Sequence, residues 1–90
     1  MNESINQQRI AIMRQRLCQA FDPQYIEILD DSSQHIGHAG AASGAGHFTV
    51  MISSSNFIGK TRLQAHKMIY HALADMMDSD IHALRIKLIY

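Results

Sequence analysis

The chain has 90 residues, of which 47% are hydrophobic and 18% charged, with eight basic and eight acidic side chains. This length predicts one domain with a modest core, residues 1–90. No apolar run approaches the roughly 20 residues that span a bilayer, and no signal-peptide core opens the chain, so we expect a cytoplasmic protein. The formal charge of zero argues against nucleic-acid binding by bulk charge. The single cysteine excludes an internal disulfide and a cysteine-only metal site.

The first predicted element is a helix over residues 4–20. Ser4 and Gln7 have the spacing of a capping box at its start. Its apolar face is predicted from residues at helical spacing: Ile10, Met13, Leu17 and Ala20. Pro23 ends the helix, because proline disfavours helical backbone in the residue before it. We interpret Cys18 as a small packing residue of this helix.

Two strands are predicted next, over residues 25–30 and 47–52, because both stretches are short and rich in β-formers. In the second, Phe48, Val50 and Ile52 alternate toward the core. The connection between the strands is glycine-rich and about fifteen residues long, a length that is uncommon unless the loop is functional or mobile. We expect it to be mobile. Between residues 35 and 48 it has no charged residue and carries three of the six histidines, His35, His38 and His47.

A second long helix is predicted over residues 61–77, after a short helical turn near 56–60. Thr61 and Gln64 form its capping box. Its buried face is predicted to contain Ala65, Ile69, Ala72, Leu73 and Met76. The final stretch, 81–90, alternates apolar and basic residues and predicts a third strand. The element order indicates a small α+β domain with helices packed on one face of a three-stranded sheet.

The stretch FIGKTRLQAHKMIYHALADMM, followed by IHAL, resembles the BolA family. The matching positions are Phe57, Gly59, Leu63, His66 and Tyr70, together with His82 in the family's V/I-H-A-L/F motif. The loop resembles that of the histidine-type bacterial members, which carry a histidine where others carry a cysteine. The resemblance covers residues 7–90 and implies an αββααβ fold like a type II KH domain. The KH nucleic-acid motif G-x-x-G is absent, since no second glycine follows Gly59.

The resemblance implies partnership with a monothiol glutaredoxin around a shared [2Fe–2S] cluster that glutathione also ligates, in iron homeostasis or cluster trafficking. It implies that His82 is the C-terminal ligand. His35 best matches the loop ligand of the family, and His38 is the alternative. Imidazole suits iron and zinc alike, so the residue type does not select the metal. His47 begins a strand, and we interpret it as structural.

The family is also associated with DNA binding and transcriptional control of stress response and cell morphology. The residues that would form a nucleic-acid surface here are Lys60, Arg62, His66 and Lys67. Ala65 and Lys67 stand where arginines are usual in the family, which thins this basic patch. A third hypothesis is a protein-contact module without metal. We expect neither an enzyme nor a small-molecule substrate, because the H-x-x-H of 35–38 lacks the glutamate of zinc proteases and no serine has a nucleophile motif.

Overall fold

The structure, a computed structural model, describes residues 5–32 and 45–89. In chain order the elements are α1 (Ile5–Phe21), β1 (Tyr25–Asp30), β2 (Gly46–Ser53), a 3-10 turn (Ser55–Phe57), α2 (Arg62–Ala72), α3 (Ala74–Met77) and β3 (Ile81–Leu88). This order confirms the predicted α+β class. The predicted helix over 61–77 is divided at Leu73, whose backbone (φ −109°, ψ 14°) leaves the helical region. The division leaves both Leu73 and Met76 buried.

The sheet has three strands in the order β1-β2-β3, so β2 is central. β1 pairs with β2 antiparallel, with Tyr25 opposite Ser53 and Asp30 opposite Phe48. β3 pairs with β2 in parallel. Parallel neighbours need a crossover connection, and α2 and α3 provide it. As a result β1 ends, and both β2 and β3 begin, at one end of the sheet, which we call the histidine end because His47 and His82 lie there.

The core lies between the helices and one face of the sheet. Side chains alternate between the two faces of a strand, and the predicted inward residues Phe48, Val50 and Ile52 are at most 1% exposed. The helical crossover contributes the predicted residues Ala65, Ile69, Leu73 and Met76, while Ala72 is only partly buried. On β3 the alternation is also confirmed, since Leu84, Ile86 and Leu88 are half-buried while Arg85 and Lys87 are exposed.

The buried face of α1 confirms the predicted one at Met13 and Leu17 but differs from it at both ends. Its buried residues are spaced four apart: Arg9, Met13, Leu17 and Phe21. Ala20 is exposed and Ile10 is half-buried. The interpretation of Cys18 as a packing residue is wrong, because one step of roughly 100° around the helix from Leu17 turns its side chain to solvent. Within the described ranges no helix is long and apolar enough to cross a membrane.

The start of α2 confirms the predicted capping box. The Thr61 hydroxyl accepts a hydrogen bond from the Gln64 backbone N–H (3.0 Å), and the Gln64 side-chain oxygen accepts one from the Thr61 N–H (2.9 Å). Gly59 lies just before this cap with a φ of 80°, in the left-handed region that favours glycine. The other predicted capping residue, Ser4, lies outside the described residues.

Candidate functional site

Two histidine side chains meet at the histidine end of the sheet. The ring centroids of His47 and His82 are 5.0 Å apart, and the ring planes are inclined by 55°. His47 is 6% exposed and both of its ring nitrogens are buried, whereas His82 is exposed. The pair therefore presents one protected imidazole and one imidazole that is open to a partner.

An irregularity in strand pairing gives His82 its position. Gly46 pairs with Ile81, but the next residue, His47, pairs with Ala83. His82 is therefore an extra residue in β3 relative to β2. Bulges of this kind bend a strand locally and re-aim the side chain of the extra residue, and they are common next to functional sites. The bulge accounts for a ring that contacts His47 while remaining exposed.

Hydrogen bonds at the histidine end also hold the described residues on either side of the segment 33–44. On the side where β2 begins, the Gly46 N–H donates to the Asp80 carbonyl (3.0 Å) and the His47 N–H donates to the Ser32 hydroxyl (3.0 Å). Ser32 is the last described residue before the segment, and Asp80 comes two residues before His82. The described residues that flank the segment carrying His35 and His38 are thus bonded to the starts of the strands that carry His47 and His82.

A carboxylate adds negative charge to the histidine end. Burial by itself raises the pKa of the Asp30 carboxyl, but hydrogen bonds from Ser32 and Asn6, together with the charge of His47, lower the pKa below its usual value. Asp30 therefore stays ionised.

The predicted metal ligands are placed only in part. His82 lies at the start of β3 as predicted. His35 and His38 lie outside the described residues, as does most of the loop that was predicted to be mobile. His47 is buried, in agreement with a structural role, but its contact with His82 was not predicted. In residues 5–32 and 45–89 no group of three or more histidine, cysteine or acidic side chains could hold a metal ion. A metal at His82 would therefore need ligands from the segment 33–44 or from a partner.

The predicted nucleic-acid residues lie on the turn before α2 and on α2 itself. Lys60, Arg62 and Lys67 are exposed and His66 is half-buried. Two large apolar side chains share this region, since Ile58 is 77% and Leu63 is 64% exposed. The surface is therefore basic and apolar together.

The order of elements and the mixed sheet define a class of small α+β domains whose solved members include BolA domains. The BolA domain of SufE1 from Arabidopsis thaliana superposes with a TM-score of 0.79 at 36% sequence identity, covering 89% of this chain and 88% of that chain. The sequence model of the family described as BolA-like protein matches residues 17–89. The chain belongs to the BolA-like family, which confirms the resemblance noted in the sequence.

Two relatives show the range of names within the family. The chain is 37% identical over 81 residues to Protein BOLA1, chloroplastic, of Arabidopsis thaliana, covering 87% of this chain and 51% of that protein. It is 36% identical over 74 residues to the DNA-binding transcriptional regulator BolA of Escherichia coli (strain K12), covering 82% of this chain and 68% of that protein. The chain thus spans about half the length of the plant relative.

Proposed function

We propose that this BolA-like protein is an adaptor that partners a monothiol glutaredoxin and supplies imidazole ligands to a [2Fe–2S] cluster shared with that partner and with glutathione. The observation that carries the proposal is the exposed His82 ring, packed against the buried His47 ring where the segment bearing His35 and His38 starts and ends. The buried ring limits the orientations of the exposed one. An imidazole held this way loses less freedom on binding than a solvated surface histidine.

The donor set supports a shared cluster. Iron–sulfur clusters are usually held by thiolates, with two imidazoles replacing two thiolates in Rieske centres. On α1, Arg9 contacts Asp80, which lies two residues before His82. The single thiol of this chain, Cys18, lies nine residues further along the same helix, or about 13 Å along its axis. The thiolates would therefore come from the partner and glutathione. Histidine ligation removes negative charge from a bound cluster and raises its reduction potential.

Co-expression with a monothiol glutaredoxin in iron-replete cells tests the proposal, with visible absorption and circular dichroism recorded on the purified complex. We expect a mixed-cluster spectrum that the glutaredoxin alone does not give. His82→Ala is expected to abolish it, and His35→Ala to alter it more than His38→Ala. His71→Ala is the matched control, because His71 is also exposed but lies on α2. A wild-type spectrum from His82→Ala with the glutaredoxin bound would refute the ligand assignment.

DNA binding is a second candidate function. It is favoured by the exposure of Lys60, Arg62 and Lys67 in a stretch that has no acidic residue between positions 57 and 74. Because phosphate contacts release counterions, affinity should fall with salt with a logarithmic slope of about −0.9 per contact. Fluorescence anisotropy on duplex DNA tests this, with Arg62→Ala expected to weaken binding to all sequences alike. Arg14→Ala, which removes an exposed charge on α1, is the control, and salt-independent binding would exclude this surface.

A further inference from the structure

We infer that Arg9 is a positioning residue. From the first turns of α1 it holds the starts of β2 and β3 so that the His82 ring lies against the His47 ring. The inference deepens the proposed function and rests on it for its consequence in cluster binding. The ring arrangement itself is testable in the protein alone.

Arg9 is a charged residue in a place where charge is costly. Its side chain is only 10% exposed, and burying a charge is tolerated when it is paired and hydrogen-bonded. The guanidinium donates in two directions, from Nε to Asp80 Oδ1 (3.0 Å) and from Nη1 to Asn6 Oδ1 (2.9 Å). A planar guanidinium presents its donors at fixed angles, so these two contacts fix the relative positions of the groups that accept them.

The first contact leads to the start of β3. Asp80 is held by its side chain to Arg9, while its backbone N–H donates to the Met76 carbonyl (2.8 Å) and its carbonyl accepts from the Gly46 N–H (3.0 Å). Asp80 therefore joins α1, the end of the crossover and the first residue of β2. It lies two residues before His82, immediately ahead of the bulge.

The second contact leads to the start of β2. Asn6 accepts from Arg9 and donates from Nδ2 to the Ser32 hydroxyl (3.1 Å). The same hydroxyl accepts the His47 backbone N–H (3.0 Å). One guanidinium is thus connected to the backbone on both sides of the His47–His82 contact. Removing it should leave the strands formed but release the alignment of the two rings.

The test uses Arg9→Met, which keeps an apolar stem of similar length, and Arg16→Met as the matched control. Arg16 also lies on α1 and forms an ion pair, with Asp75, but the two side chains are 34% and 68% exposed, and Asp75 belongs to α3. Nuclear Overhauser effects between ring protons report the site directly. The Phe21 and Phe57 rings, whose centroids are also 5.0 Å apart, serve as an internal check of the core.

Arg9→Met is expected to lose the His47–His82 cross-peak and keep the Phe21–Phe57 cross-peak, whereas Arg16→Met keeps both. If Arg9→Met loses both because it fails to fold, Asp80→Ala decides, since it removes the carboxylate that accepts from Arg9 Nε and keeps the backbone bond to Gly46. Asp80→Ala is expected to lose the His47–His82 cross-peak and keep the Phe21–Phe57 cross-peak. The inference would be overturned if a folded Arg9→Met kept the His47–His82 cross-peak and wild-type ring shifts. Where Arg9→Met does not fold, the same result in a folded Asp80→Ala would overturn it.

Cluster binding provides the second readout. Loss of groups that orient a metal ligand typically lowers metal affinity 10–100-fold, so we expect Arg9→Met to weaken the mixed cluster by about 10-fold or more. Arg16→Met should leave its spectrum and stability unchanged. If the wild-type protein forms no mixed cluster, the proposed function fails while the ring cross-peaks still decide the role of Arg9. If the wild type forms it and Arg9→Met binds equally well, Arg9 has no positioning role in ligation.

Discussion

Gly46, the first residue of β2, should resist replacement even by alanine because the Phe48 ring lies against it. A Cβ at this position would be 2.4 Å from Phe48 Cζ and 2.5 Å from Cε2. Carbon atoms in contact are normally about 3.5–4.0 Å apart, so the ring would have to move by roughly 1 Å. Phe48 is 1% exposed and protein interiors are close-packed. Overpacking lowers the free energy of unfolding by about 1–3 kcal/mol. Alanine is less flexible than glycine in the unfolded chain, which offsets about 0.4–1 kcal/mol of this loss.

We therefore expect Gly46→Ala to lower the free energy of unfolding by about 1–2 kcal/mol, measured by urea titration with circular dichroism. If the steric contact is the cause, Phe48→Leu should relieve it, and the double variant should show a coupling of at least about 0.5 kcal/mol. Gly59→Ala is the control. A Cβ added at Gly59 has nothing within 4 Å, but the φ of 80° is unfavourable for alanine. We expect Gly59→Ala to cost about 1–2 kcal/mol through the backbone alone. The effects of Gly59→Ala and Phe48→Leu on the free energy of unfolding should therefore be additive. Additivity at Gly46 as well would refute the reasoning.

The other predictions concern a cap, a carboxylate and a thiol. Thr61→Ala should lower the free energy of unfolding in urea by about 1 kcal/mol, while Thr61→Ser, which keeps the hydroxyl, should cost much less. The folded-state pKa of Asp30 is lowered, so its stabilising contribution is complete above the unfolded value of about 3.9 and is lost as pH falls through the lower folded pKa. Asp30→Asn should thus destabilise the protein near pH 7 and have little effect near pH 2, and equal effects in urea titrations at both pH values would contradict this. Because Cys18 is exposed, it should react with a thiol reagent in the folded protein as readily as in urea. Slower reaction in the folded protein would show that the Cys18 side chain is buried and contradict this prediction.

The periodicity of the sequence predicts the elements and the middle of the buried face of α1, Met13 and Leu17, but not its ends, Arg9 and Phe21. The inward residues of β2 and the inward residues of the helical crossover are all apolar, and they are buried as predicted except for the half-buried Ala72. In α1 the buried row starts at Arg9, and a pattern of apolar residues cannot contain an arginine. Its burial depends on Asp80, which is 71 residues away in the chain. Such a partner becomes visible only once the fold brings the two together.

The site shows the same limit. His82 was assigned as a ligand by resemblance, and its position at the start of a strand is confirmed. The sequence around His47 and the sequence around His82 do not indicate that the two rings are in contact. That contact depends on strand order, on the parallel direction of β3 and on a bulge of one residue. A shift of one residue in register moves a side chain to the opposite face of a sheet. A sequence reading that gives strand ends to within one or two residues therefore cannot decide which rings meet.

The parallel pairing of β2 and β3 is what assembles the candidate site. If β3 ran antiparallel to β2, its first residues would lie beside Ser53, at the far end of β2 from His47. The helical crossover of α2 and α3 returns the chain to the histidine end before β3 begins, so His82 starts where His47 starts. Because β1 ends there too, the segment 33–44 departs from and returns to the same place. The first turns of α1 then cover this end through Arg9 and Asn6. The crossover helices α2 and α3 thus set the direction of β3, and α1 contributes the buried guanidinium of Arg9. The imidazole side chains come from the strands and the connecting segment.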